Sequence, residues 1–489
     1  MSRVTRRRFL SKTAVAAGVV FAGPSLFDIE ELLAQPNWVR PDIATASTAI
    51  INGYKTAITA MRALPASNPR SWAYQAAIHG TTVTPALTAW NTCQHGNFFF
   101  LSWHRMYLYW FERIVRSMSG VPSWALPFWN YKPTPADPVA SNRVLPLPFR
   151  NPANATNPLF TANRNAPFNN GTGSLSATIC DPSVALMQTA YTGPAVNFGG
   201  NNPGTGQLEN RPHNNVHVAI GGWMGNPQTA AQDPIFWLHH ANIDRYWNVW
   251  LKQGGGRADP VNNITWRSHV FTFFNEQGAQ VHMTACDILN ASLQLHYTYQ
   301  GEPPQVTQSC PLKIQFPPIQ FAERPIRIPI PDPEMIIDEA RPVTRVMQMK
   351  AVAADVMREV KSAIASPEKN LILNFGAVTA DAQPGAVFEV WVGTEGTPGP
   401  GVAGSHQVGD MALFAQGIRG VSHHGEETAS FSFKLDEAIA PALQRGASEI
   451  RVAVIPMDPV DVGGKHGLKK PAAPLRITNM SVTVEEPKK

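Results

Sequence analysis

The chain has little cysteine, little charge and no long apolar run. Four cysteines (Cys93, Cys180, Cys286 and Cys310) among 489 residues cannot staple a disulfide scaffold, and none stands in a C-x-x-C zinc pair. An oxidising compartment would permit a disulfide among Cys180, Cys286 and Cys310. Charged residues make up 15% and hydrophobic residues 44%, which excludes a disordered chain. No stretch reaches the roughly 18–20 apolar residues of a bilayer span, which excludes a polytopic membrane protein. There is no internal period of the kind that builds solenoids. The 43 prolines and 36 glycines imply long irregular connections and argue against a simple helical bundle or repeat array. At roughly 150 residues per domain, the length predicts two or three domains.

Positive charge is also scarce once its location is considered. The net charge is +5. Arg3, Arg6, Arg7, Arg8 and Lys12 lie in an N-terminal stretch without an acid, so the body of the chain is near neutral. Nucleic acid and anionic membranes are therefore not expected partners. Residues 5–12, Thr-Arg-Arg-Arg-Phe-Leu-Ser-Lys, precede a short, weakly apolar stretch. This pattern resembles a twin-arginine export signal, placed at residues 1–34, and predicts a periplasmic or secreted protein. That route carries folded proteins, often with a cofactor already bound.

What is abundant is aromatic residues and histidine between about residues 36 and 300. Residues 98–118 carry no Gly or Pro, and charges recur at Arg105, Glu112, Arg113 and Arg116. They predict a helix with a wide buried face. Residues 234–251 predict another, with Asp233 as cap and Pro234 in the first turn. Residues 133–211, dense in Pro, Asn and Gly, read as long surface loops. Residues 301–345 hold ten prolines and read as a linker that spaces domains without joining a sheet. Beyond it the period changes to two, at 387–392, 430–435, 449–455 and 475–484. This predicts an all-β domain, sandwich or jelly-roll-like, over 346–489.

Half of the 14 histidines fall in two neighbourhoods: His79, His95 and His104, then His213, His217, His239 and His240. His213 and His217 are four apart, which sets two imidazoles on one helical face about a turn apart. Three imidazoles, then three more, suit copper, zinc, iron or nickel and leave coordination positions open for catalysis or gas binding. A helix does not aim two consecutive side chains at one ion, so one of His239 and His240 is expected to look elsewhere.

The segment His95-Gly-Asn-Phe-Phe-Phe-Leu-Ser-Trp-His104-Arg resembles the first copper motif of type-3 copper proteins, namely tyrosinases, catechol oxidases and hemocyanins. Pro212-His213-Asn-Asn-Val-His217, with Asp233-Pro-Ile-Phe-Trp-Leu-His239-His240-Ala-Asn-Ile-Asp244-Arg245, resembles the second. The resemblance implies a mainly α catalytic domain over 35–300, a four-helix bundle around a dicopper site with long loops. It implies two copper ions, one on His79, His95 and His104, the other on His213, His217 and His240, with O2 as co-substrate. Phe98, Phe99, Phe100, Trp103 and Phe236 would form a dry shell. Asp244 and Arg245 look like the family's buried ion pair. Cys93, two before His95, resembles the cysteine that some members join to the histidine through a thioether. Glu209 and Asn214 match residues that, in related enzymes, orient a water for phenol deprotonation. Met224, Asn226 and Pro227 fall on the substrate-gating loop. The C-terminal region resembles, more loosely, a shielding domain of latent polyphenol oxidases, with a blocking side chain expected near Met411–Phe414.

The implied activity is oxidation of small phenols: monophenols to o-diphenols and o-diphenols to o-quinones. The alternatives are a catechol oxidase without monophenol activity and a hemocyanin-like O2 carrier. A mononuclear zinc hydrolase is disfavoured because no Glu accompanies the His-x-x-x-His. A homo-oligomer remains open.

Overall fold

The computed structural model describes residues 37–133, 141–302, 308–311, 326–330, 334–349, 352, 354–365, 369–421, 427–464 and 466–485. The twin-arginine segment lies outside the described residues. Helices form where apolar residues recur every three to four positions: α1 (Thr48–Ala63), α2 (Trp72–His79), α3 (Phe100–Met118), α4 (Asn215–Ile220) and α5 (Ile235–Lys252). The Ser47 and Ser71 side chains accept backbone N–H groups at the starts of α1 and α2, fixing where each begins. Asp233 accepts from the Ile235 N–H (3.1 Å) at the start of α5 and pairs with the buried Arg164. α3 packs against α1 and α5, so the two expected helices form the centre of this region.

Residues 133–211 depart from the expectation of surface loops. Phe149, Phe168, Leu175, Cys180, Phe198 and Leu208 are fully buried. Single apolar residues between Pro, Asn and Gly show no period, yet short turns return each one to the core. Small strands close the region. β1 (Trp38–Arg40) pairs in parallel with β5 (Tyr297–Tyr299), and β3 (Phe271–Phe274) with β4 (Gln280–Met283). The disulfide joins Cys286 to Cys310, while Cys180 is buried outside it.

The C-terminal region is a two-sheet sandwich, with α6 (Ala354–Ala365) and α7 (Asp436–Gln444) that the alternating pattern did not signal. One sheet orders as β11 (His406–Met411), β10 (Val387–Gly393), β13 (Glu449–Met457) and β8 (Val343–Gln348). The other orders as β12 (Ala429–Lys434), β9 (Asn370–Thr379), β15 (Leu475–Glu485) and β6 (Ile326–Pro329), with β7 (Glu334–Ile337) also on β15. The linker expectation is thus corrected at its C-terminal end. Ile326–Pro329 and Glu334–Ile337 are strands, and β8 spans the expected boundary at 346. Prolines are tolerated there because β6 and β7 pair with β15 along one edge only.

The two regions share more than a covalent connection. β14 (Val460–Val462) pairs antiparallel with β2 (Gly173–Leu175) from the helical region. Val387, Ala412, Phe414, Ala415 and Val460 belong to the helical region's core, not to that of the sandwich.

Candidate metal centre

α2 ends on His79, and α3 carries His104 in its second turn. His95 sits on the loop between them. Glu209–Asn214 form a wide helical turn broken at Arg211, whose backbone is extended (φ −140°, ψ 123°). The turn runs straight into α4 and delivers His213 and His217 with ring centroids 4.6 Å apart. α5 contributes His239 and His240. All seven imidazoles are buried. The stacked rings of His104 and His240, centroids 4.5 Å apart, join the two groups into one site.

Four of these imidazoles present Nε2 inward because Nδ1 is held. Nδ1 of His79 faces the Pro227 carbonyl (2.9 Å), that of His104 the Phe100 carbonyl (2.8 Å) and that of His217 the Met224 carbonyl (2.8 Å). Nδ1 of His213 faces Asn214 Oδ1 (2.8 Å). These acceptors fix the tautomer with the proton on Nδ1 and the lone pair on Nε2, as metal-binding imidazoles require. Burial, then the neighbouring imidazoles, hold His104, His217 and His240 well below the usual histidine range. Burial brings His213 down to about 3. The rings are therefore neutral donors near pH 7. Nε2 of His104 and of His213 is buried without a hydrogen-bond partner, and Nε2 of His217 and of His240 face each other at 3.2 Å. Orphaned and mutually facing lone pairs are costly unless a cation occupies the space between them. The donor set fits two copper ions. Within it, close groupings comprise His79, His104 and His240, then His213, His217, His239 and His240.

The expected accessory residues fall in the site with altered parts. Glu209 Oε1 accepts from the Gly96 N–H (2.7 Å), beside His95. Asn214 Oδ1 faces His213 Nδ1, which leaves its second lone pair and its amide N–H groups for a water. The loop of Met224, Asn226 and Pro227 was expected to gate substrate. In the structure its carbonyls orient His217 and His79, the Met224 side chain is fully buried, and Asn226 Oδ1 accepts from Gln228. Backbone acceptors carry no residue-type signature, which is why the sequence did not reveal them. Cys93 Sγ lies 3.4 Å from His95 Nδ1, and burial pushes its thiol well up. A third close grouping is His79, Cys93 and His95.

The ion pair expected between Asp244 and Arg245 is corrected. Asp244 binds Arg40 and Arg105 together with the hydroxyls of Tyr297 and Tyr299, whereas Arg245 pairs with Glu302. Adjacent helical residues diverge by about 100°, so the buried carboxylate must find cations elsewhere. Arg40 from β1 and Arg105, next to His104 on α3, supply them.

The Phe414 ring from the C-terminal region covers the site. It stacks on His217 with centroids 3.9 Å apart and planes at 16°, and lies 5.6 Å from the rings of both His95 and His213. Its loop is clipped down: Gln383 Nε2 donates to the Gly225 and Leu413 carbonyls, and Asn210 Nδ2 donates to the Asp410 carbonyl. Gly96, at φ +64°, leaves room for this loop; a Cβ there would fall 1.1 Å from Gln416 Nε2.

Comparison with known proteins agrees with this geometry. The family model described as the common central domain of tyrosinase matches residues 69–253, and that of the polyphenol oxidase middle domain matches 261–309. The chain is 39% identical over 292 residues to tyrosinase HcTyr1 of Hahella sp. (strain CCB-MM4), covering 51% of this chain and 60% of that protein. It is 31% identical over 282 residues to a latent polyphenol oxidase of Prunus armeniaca, covering 50% and 46%. It is 28% identical over 491 residues to (+)-larreatricin hydroxylase of Larrea tridentata, covering 91% and 76%. The match thus spans about half to three-fifths of the first two relatives. A solved latent aurone synthase superposes with a TM-score of 0.60 at 22% identity, over 93% of this chain and 91% of that one, a likeness of fold.

Proposed function

We propose that the chain is a member of the tyrosinase and polyphenol oxidase family of type-3 copper proteins and acts as an exported copper oxidase of small phenols, latent as folded. The observation that carries this reading is the nest of buried imidazoles under Phe414, with Nδ1 of His79, His104, His213 and His217 held by oxygen acceptors. His79, His95 and His104 would hold one copper, and His213, His217 and His240 the other. When bound, the metal pair supplies two-electron exchange with O2. The protein's residues supply the rest. Phe100, Trp103 and Phe236, all essentially inaccessible to solvent, exclude water. The held Nδ1 atoms keep the donors oriented. Glu209, whose carboxylate accepts from the Gly96 N–H, would fix a water beside His95 and His213.

The reading includes monophenol hydroxylation as well as diphenol oxidation. A phenol has a pKa near 10, so an oriented proton acceptor assists its docking. The Glu209 carboxylate is the acceptor there, and the Asn214 side chain orients the water. General-base help of this kind contributes on the order of 10²–10⁴ in rate. The test compares Asn214→Gly with the parent on tyrosine and on a catechol, alongside copper content. Hydroxylation should fall much more than catechol oxidation. Equal losses, or a parent with no tyrosine turnover in the presence of trace diphenol, would make the protein a catechol oxidase.

The proposal extends to a thioether between Cys93 and His95. The S–H and a ring C–H are lost as the C–S bond forms, with O2, the co-substrate, taking two electrons and two protons. Peptide mapping should find the joined peptide lighter by two hydrogens; complete alkylation of Cys93 after denaturation would contradict it. Export through the twin-arginine signal is part of the same reading and is tested by replacing Arg6, Arg7 and Arg8 with Lys and following secretion.

A further inference from the structure

Residues 163–165, Asn-Arg-Asn, lie in the stretch whose prolines, asparagines and glycines carry no period, yet they tie together two elements of the metal centre. The side chains of Arg164 and Asp233 are wholly buried and form a bidentate pair, Nε to Oδ2 at 2.7 Å and Nη2 to Oδ1 at 2.6 Å. Nη1 also donates to the Phe149 carbonyl (2.8 Å) and to Asn169 Oδ1 (3.1 Å), and Nη2 to the Leu159 carbonyl (3.1 Å). All five guanidinium N–H donors are therefore used. Asp233 in turn accepts from the Ile235 N–H, so Arg164 fixes the start of α5, which carries His240. The next residue fixes α4. The Asn165 N–H donates to the Ile220 carbonyl (2.7 Å), and Asn165 Nδ2 donates to the Ala219 carbonyl (2.8 Å). The Asn163 carbonyl accepts from the Trp223 N–H (3.0 Å), one residue before the Met224 carbonyl that holds His217. Gly221 and Gly222 permit this close approach. Both have positive φ (+64° and +54°), and a Cβ would fall 2.6 Å from Asn165 Nδ2 and 2.2 Å from the Asn163 carbonyl oxygen.

We propose that residues 163–165 are the positioning segment of the second copper group, with Arg164 and Asn165 setting the spacing between His217 on α4 and His240 on α5. The inference rests on the dicopper reading above and names what holds that half of the site in register. α4 has six residues, too few to hold a helix by itself in water. Its last carbonyls have no partner within the helix, and Asn165 supplies two N–H groups to them. The two imidazoles it must align are those whose Nε2 atoms face each other at 3.2 Å. Donors of a metal site have to be held to within about 0.5 Å by the residues behind them. Arg164 suits this task in a way that lysine does not. A lysine offers three donors from one point and cannot make the bidentate pair and the carbonyl contacts together. A clamp with a purely structural role would lower the stability of the helical region and leave the copper pair as it was.

The test compares Arg164→Lys and Asn165→Ala with the parent, all as the full chain. Asn165 is only partly buried and its replacement removes one side-chain hydrogen bond, so that variant guards against misfolding of the other. Circular dichroism and a thermal melt of the metal-free proteins identify the folded variants. Hydrogen exchange of the same samples should be faster over residues 217–225 and unchanged over α3. In anaerobic Cu(I) titration against a chromogenic chelator, a variant should hold one copper as the parent does. It should bind the other about 10-fold more weakly for Asn165→Ala and about 100-fold more weakly for Arg164→Lys. X-ray absorption of the loaded variants should show a longer or more dispersed copper–copper distance. A folded variant with a lower melting temperature, but with parental copper affinity and copper–copper distance, would overturn the positioning role and leave a structural clamp. Parental exchange over residues 217–225 would overturn it as well. A parent that binds fewer than two coppers would defeat the dicopper reading itself, and the exchange comparison on metal-free protein would still decide whether the segment holds α4.

Discussion

The helical region and the β-sandwich solve the problem of a buried interior in opposite ways. The helical region carries charge and imidazole at its centre: Arg40, Arg105, Glu112 and Asp244 are buried together beside α3, and the histidines are buried in the same core. The sandwich core is an apolar cluster, with residues such as Leu373, Phe388, Val390, Val454 and Ile477 packed between two sheets. Its strands bury only the carboxylates Glu389 and Asp410 as charged groups among the described residues, and the ring it sets against the histidines comes from one loop. Reactivity and shielding are thus separable, and substitutions in each should have different signatures.

The sharpest contrast comes from the site itself. His217→Ala should remove one copper and abolish oxidase activity while leaving the sandwich intact, measured by metal analysis and turnover of a catechol. Next is Asp244→Ala, which leaves Arg105 without its carboxylate and Arg40 with Glu112 alone. Breaking a buried pair this way costs about 3–5 kcal/mol, read as a lower denaturation midpoint of the helical region with copper loaded. Phe414→Ala should act the other way. It removes a stacked ring worth about 0.5–1.5 kcal/mol beyond its burial, which corresponds to a two- to tenfold rise in activity on bulky phenols at nearly unchanged copper content. An unchanged rate would make the sandwich a structural partner without a shielding role. The smallest effect concerns Asp259. Burial pushes its carboxyl up to about 7 despite hydrogen bonds from Trp247 and Gln308. Because the folded value exceeds the unfolded one, its stabilising contribution is present in full below about pH 4. That contribution is lost as pH rises through 7. Asp259→Asn should flatten that part of the stability–pH profile.

The same contrast explains what could be read from the sequence. Histidines are rare and their spacing carries geometry, so the ligand groups stood out without any structure. The two long helices and four of the sandwich strands were legible because their apolar periods are regular. The partners of Asp244 were not: Arg40 lies 204 residues away, and the adjacent Arg245 was the misleading choice. The carbonyls of Phe100, Met224 and Pro227 were invisible because any residue can supply one. Phe414 fell inside the segment expected to block the site, but only the fold shows it stacked on His217. The edge strands β6 and β7 were hidden by prolines.

If the folded chain is latent as proposed, the pairing of β14 with β2 bears on how it would be opened. A protease cutting once in the proline-rich stretch would sever the thread between the two regions and leave the seam of interstrand hydrogen bonds in place, together with the buried side chains around Phe414. The cleaved protein would migrate as two bands in denaturant and as one particle in buffer. Latency would therefore survive the nick and end only when the two pieces come apart, so that a cut and a separation are distinct events with distinct rates.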